Sequence, residues 1–228
     1  MLEYTPGTLT DAEAQAFTEL LDQGVRDIET LIGPSADSAA GTPARVRYVV
    51  SERIGVSRAF RHTVLLPLER VRTRSAPYLH ETVHVLLPSR SDCIWLNEGL
   101  ASYLESRVSE TIGGYDAHVF TRAGNAGIHA EARRHLGRAE GRDVLSYVGD
   151  RGEPPRLEDD RARVARPFYV LSQSFVKYLV DGAGLAPVIR AATDDDPLAS
   201  LANATGRSVG QWKGAWLATI AAGPRPQP

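Results

Sequence analysis

Cysteine, lysine and long apolar runs are scarce in this 228-residue sequence. The single cysteine, Cys93, excludes an intramolecular disulfide and reads as a small apolar core residue rather than a nucleophile. No apolar segment approaches the roughly 20 residues needed to cross a bilayer, so a membrane span is excluded. The opening stretch MLEYTPGTLTDAEAQ lacks the basic start, apolar run and small-residue cleavage site of a secretory signal. A cytoplasmic location is the default expectation, and a mature secreted form would read the same. Net charge is also scarce, at −2 with a pI near 6.3, so nucleic acid is not an expected partner. Lys177 and Lys213 are the only lysines, and the many arginines are interspersed with Asp and Glu. That pattern reads as compositional bias rather than as an anion-binding surface. Neither solenoid-period repeats nor low-complexity tracts occur.

What remains is an ordinary globular composition, 43% hydrophobic and 24% charged. Thr10 and Glu13 form a capping-box pattern, and apolar residues from Phe17 to Leu31 recur at helical spacing. A helix is therefore predicted over about 11–31, followed by a small, polar loop over 33–43. ARVRYVVS alternates like a strand with one buried face, and a second strand lies around His62 to Leu66, ended by Pro67. A sheet of three or more strands is expected. Beyond Ser75 helices dominate: about 76–87, 94–109, a polar one over 115–138, 168–180, a short pair over 183–192 and 198–205, and 209–220. The polar segment 137–167 reads as a long loop or connector, and 223–228 as a disordered tail. The expected fold class is α+β: a small N-terminal mixed sheet with a helix, then a mainly helical half. It reads as one domain over 1–222, with the sheet-containing half at about 1–88 and the helical half at about 89–222.

The chemistry concentrates in PYLHETVHVLL, Pro77 to Leu87. Positions four apart share a helix face, so His80 and His84 can direct both imidazoles at one point. Glu81 stands beside that point. This is the arrangement in which two neutral imidazoles hold zinc and a glutamate takes a proton from a metal-bound water. Ser75 is the expected N-cap and Pro88 the stop. The competing reading is a core helix with two hydrogen-bonded histidines.

A catalytic zinc needs a third protein ligand. Glu98, in CIWLNEGLASYLES, follows a turn made by Pro88 and SRSD that is long enough for the chain to reverse. Gly99 beside it would permit close approach of a helix or the metal. Alternatively, Glu98 is a helix-start glutamate favoured by the dipole. His118, His129 and His135 read as surface residues, and Arg72 and Arg74 as solvated or as lining a cleft.

HETVH followed by WLNEGLASYLE resembles the gluzincin metallopeptidases, the peptidase MA-like domains related to aminopeptidase N, leucotriene A4 hydrolase and thermolysin. The resemblance implies a zincin-like fold, one zinc per chain with His80, His84 and Glu98 as ligands, and Glu81 as general base. RPFYVLSQSFVKYLV matches the later helix that opens on a catalytic tyrosine, which implies Tyr169 as oxyanion donor; the alternative is that Tyr169 seats the helix. DPLASLANATGRSVGQWKGAWLATI resembles the closing helices of these domains. Two departures matter: the interval from His84 to Glu98 is shorter than in the relatives, and no G-x-M-E-N segment precedes His80. The implied activity is thus a zinc peptidase acting on a peptide or protein, as an endopeptidase rather than an aminopeptidase. TVLLP would be the sheet edge along which substrate pairs. The alternative is a catalytically weak, zinc-stabilised protein-binding module on the same fold. The oligomeric state is not legible.

Overall fold

The computed structural model describes residues 1–33, 46–110, 123–152 and 161–223, with the backbone alone over 161–163. Its contacts divide the chain into two compact units, Met1–Pro88 with Leu104–Val119, and Ser89–Tyr103 with Phe120–Pro228.

The first unit is built on a four-stranded mixed sheet ordered β1-β2-β4-β3. Strand β1 (Leu2–Tyr4) runs parallel to β2 (Arg47–Ser51), and β2 runs parallel to β4 (Thr63–Pro67). Strand β3 (Arg58–Phe60) returns antiparallel onto β4. Parallel neighbours need a crossover, and helix α1 (Asp11–Ile32) lies between β1 and β2 in the chain. Alternation sets which residues are buried: Tyr48 and Val50 pair with Val64 and Leu66, and all four are in the core. Two expectations change here. TVLLP is β4, an interior strand, so the free edge beside it is β3. The three-residue β1 is an additional strand, too short to show alternation in sequence.

Helix α1 begins on the expected capping box: Glu13 N–H donates to Thr10 Oγ1 at 3.2 Å, and Thr10 N–H donates to Glu13 Oε2 at 2.8 Å. Phe17, Leu21, Gly24 and Ile28 form its buried stripe. A short helix α2 (Leu68–Arg72) follows β4, and α3 (Tyr78–Leu86) carries the histidines. The N-cap of α3 is Pro77 and not Ser75, whose hydroxyl instead meets Thr73 Oγ1 at 3.0 Å. The physical reason is the chain geometry before Pro77, which places Ser75 N–H on the carbonyl of Arg70 and keeps it outside the helix.

Helix α4 (Ile94–Ser109) has the expected bounds. Its residues up to Tyr103 belong to the second unit, which also holds α5 (Gly124–Leu136), α6 (Ala139–Leu145), α7 (Arg161–Ala183), α8 (Leu185–Ala192), α9 (Pro197–Thr205) and α10 (Val209–Ala222). The polar segment 137–167 therefore contains α6 and the first turns of α7, so within the described residues it is not a continuous loop. Helix α7 runs through Pro167, which lacks the N–H for its helical bond. An aromatic column holds this unit together: Trp95 stacks on Phe175 at 5.1 Å between centroids, and Phe175 meets Trp216 at 5.0 Å. Helix α10 starts on a second capping box, Ser208 with Gln211. The start of the polar helix expected over 115–138, the 34–43 part of the first loop and residues 224–228 lie outside the described residues. None of the described helices is long and apolar enough to cross a membrane.

Candidate metal centre

Helix α3 is buried on all sides: of its nine residues only His84 is more than marginally accessible. Helix α1 and the sheet, both in the first unit, clamp it. Gly24 lets α1 approach so closely that a Cβ there would lie 2.5 Å from Leu79 Cδ2. Beside it, the Phe17 ring meets Tyr78 edge-on at 5.8 Å. From the sheet, Tyr48 OH lies 2.6 Å from Thr82 Oγ1, and Thr82 Oγ1 donates to Tyr78 O at 2.6 Å. Because the Thr82 proton is directed to the helix carbonyl, Tyr48 is the donor in that buried pair. Burial pushes the Tyr48 phenol well above its ordinary range, so it stays protonated and able to donate.

Held this way, the two histidines face each other. His80 Nε2 and His84 Nε2 are 3.1 Å apart, with the rings edge-on at 4.8 Å and 78°. Two nitrogens bound at 2.0–2.1 Å to one tetrahedral zinc sit about 3.3 Å apart, so the pair fits that ion. His80 also presents Nδ1 to Glu105 Oε2 at 3.8 Å, both side chains being buried. With this carboxylate near the far nitrogen, Nε2 is the nitrogen that faces His84. Glu105 was missed in the sequence reading. The signal was present, since Glu105 lies seven residues after Glu98 on α4, two helical turns along the same face.

Among the described residues, His80, His84 and Glu98 form a group whose ligand atoms all lie within 4.8 Å of one another. Two imidazoles and a carboxylate are the donor set of a catalytic zinc with an open fourth position. Glu98 and His84 are half-buried, and Glu81 is buried at 8% exposure. Gly99 has the role expected of it within the second unit. A Cβ on it would meet Ser172 O at 2.6 Å and Val176 Cγ2 at 2.8 Å, so α4 lies directly against α7 beside Glu98. Tyr169, half-buried, stands one turn before Ser172 on α7 with its ring edge-on to Phe168 at 6.1 Å.

The comparisons with known proteins are sparse. No family model matches the chain, and no curated protein matches it. One solved structure similar to it is an M1 zinc metallopeptidase mutant from Deinococcus radiodurans, at 17% identity and a TM-score of 0.49. That likeness covers 99% of this chain and 49% of the other, so the chain spans about half the length of that structure.

The remaining candidates separate. Cys93 is buried, as expected, and burial raises its thiol pKa, which opposes a nucleophilic role. Arg72 donates to Thr8 O at 2.6 Å. His129 and His135 are half-buried rather than on the surface. His129 Nδ1 lies 2.8 Å from Ser174 Oγ, which also accepts from Trp216 Nε1 at 3.0 Å, so helix packing draws that face of α5 inward. His118 lies outside the described residues.

Proposed function

We propose that this chain is a zinc-dependent peptidase, with His80, His84 and Glu98 holding one zinc. The observation that carries the reading is that the ligand atoms of His80 and His84, on the buried helix α3, and of Glu98, on α4, all lie within 4.8 Å of one another. When bound, zinc supplies Lewis acidity that brings the pKa of water toward about 7. Glu81 neighbours His80 on α3, about 100° further around the helix, and accepts the proton before passing it to the leaving amine. Glu105 keeps His80 in its ligating orientation. Tyr169 donates its phenol hydrogen bond to the oxygen of the tetrahedral carbon, where charge develops. The free edge of β3 offers main-chain pairing to an extended peptide, and the missing G-x-M-E-N segment favours internal cleavage.

The test measures metal and cleavage separately. Native mass spectrometry is expected to find one zinc per chain, absent in His80→Ala. Glu81→Gln should retain zinc and lose cleavage of a broad peptide library. Tyr169→Phe should retain zinc and lower kcat by about 10²- to 10³-fold. A wild-type protein that holds zinc yet cleaves no peptide would replace this reading with the zinc-stabilised binding module.

A further inference from the structure

The second unit contains a cavity of about 420 Å³ walled by α5, the α5–α6 junction and α7. Arg134 and His135 come from α5, Arg138 from the junction and Arg166 from α7, with Glu131 and Glu140 as the acidic members. Among the described lining residues the charges do not balance. Glu131 is buried and already engaged: it accepts from Arg166 Nη2 at 2.8 Å and from Ala123 N–H at 3.3 Å. Among the described lining residues that leaves Arg134 and Arg138, with Glu140 as the other carboxylate. Arg166 is fixed by its pair with Glu131, and its Nε is buried with no hydrogen-bond partner among the described residues. His135 is held below its ordinary pKa chiefly by burial, so at neutral pH it adds polarity and no charge.

A volume of this size is within the range of small-ligand pockets, about 300–1,000 Å³. Fixed guanidinium forks are matched to planar carboxylates. Position gives the ligand its class. Arg166 precedes Tyr169 by one turn, and Tyr169 precedes Ser172 by another, where α7 touches Gly99 beside Glu98. The whole interval is about 9 Å of helix. We propose that this cavity is a substrate subsite that takes a carboxylate carried by the peptide, either an Asp or Glu side chain or the free C-terminus. The assignment rests on the peptidase reading for its substrate class and on the cavity's own residues for its charge.

The experiment uses the full chain carrying Glu81→Gln, so that peptides bind without being cut, and reads fluorescence anisotropy with three labelled decapeptides. One contains glutamates and an amidated C-terminus, one contains glutamines and a free C-terminus, and the third is neutral throughout. At least one carboxylate peptide should bind tenfold or more tighter than the neutral one, and which of the two does so identifies the source. Arg134→Gln with Arg138→Gln, both exposed in the native chain, should abolish the difference while circular dichroism stays native. Equal binding of all three peptides, or a preference that survives the double substitution, overturns the subsite. The two readings fail differently. A chain that cleaves acidic and neutral peptides with equal kcat/KM loses the subsite and keeps the peptidase. One that binds acidic peptides through these arginines but holds no zinc loses the peptidase.

Discussion

Gly99→Ala isolates how the contact between α4 and α7 controls the residue next to it. A Cβ at position 99 would lie 2.6 Å from Ser172 O and 2.8 Å from Ser172 C, against 3.4–4 Å for ordinary contact. To relieve the first contact the helices must separate by about 0.8 Å (3.4 − 2.6). Backbone atoms cannot swing aside as a side chain can, so overpacking of this kind costs about 1–3 kcal/mol. Alanine also gains about 1 kcal/mol over glycine in a helix interior. Gly214→Ala on α10 meets nothing within 4 Å and carries that gain alone. Subtracting one variant from the other removes the propensity contribution. Gly99→Ala should therefore be less stable than Gly214→Ala by about 2–3 kcal/mol in urea denaturation, towards the upper end of that overpacking range. Because Glu98 moves with the helix, a 0.8 Å displacement exceeds the roughly 0.2 Å tolerance of a zinc–ligand bond. Zinc affinity, measured by competition with a chromophoric chelator, should fall at least tenfold. If Gly99→Ala gains stability as Gly214→Ala does and binds zinc normally, the close-packed helix contact is wrong.

Three further outcomes follow from other contacts. Glu105→Gln should weaken zinc binding about 10- to 100-fold through the loosened His80 ring while leaving helical content unchanged, as read by chelator competition and circular dichroism. Tyr48→Phe removes the buried donor to Thr82 and should lower unfolding free energy by about 1 kcal/mol, checked by urea denaturation. His129 is held below its ordinary pKa, first by burial and then by Lys177, with Arg133 adding to and Asp181 opposing the shift. As pH falls below about 6.5 the unfolded chain takes up a proton that the folded chain resists, so stability falls. Zinc-free wild type should therefore lose more stability between pH 7.5 and 5.5 than His129→Gln, whose residue 129 does not titrate.

Much of the local structure was legible because its causes are local. The capping box at Thr10 needs only the four residues up to Glu13, and α4 declared its bounds through its own apolar pattern. The grouping of His80, His84 and Glu98 was legible because a helix repeats every 3.6 residues and a proline-bearing turn separates the two helices. Strand order was not, since it depends on pairing between distant segments. β3, with an exposed Phe60 and only three residues, carries no alternation to signal that it covers β4. The placement of Ser75 was misread because its backbone N–H joins the preceding α2 turn. The arginines looked evenly mixed with acids along the chain. Among the described residues, folding pairs Glu131 with Arg166 and gathers Arg134 and Arg138 at the same cavity, a grouping that no one-dimensional count reveals.

Pro167 divides α7 in a way that amide hydrogen exchange should resolve. Without its N–H, the carbonyl four residues earlier has no helical donor, so the turns before and after residue 167 are not joined by a full hydrogen-bond ladder. From Phe168 onward α7 is anchored by fully buried side chains, including Leu171, Phe175 and Leu179. The first turns, ending at Arg166, should open at lower free energy than that anchored run. Arg166 then ends a segment that opens more readily and is held back chiefly through Glu131, while Tyr169 stands on the anchored run. If the proposed subsite and phenol both act, affinity for an acidic group and alignment of the phenol would vary independently on the same helix.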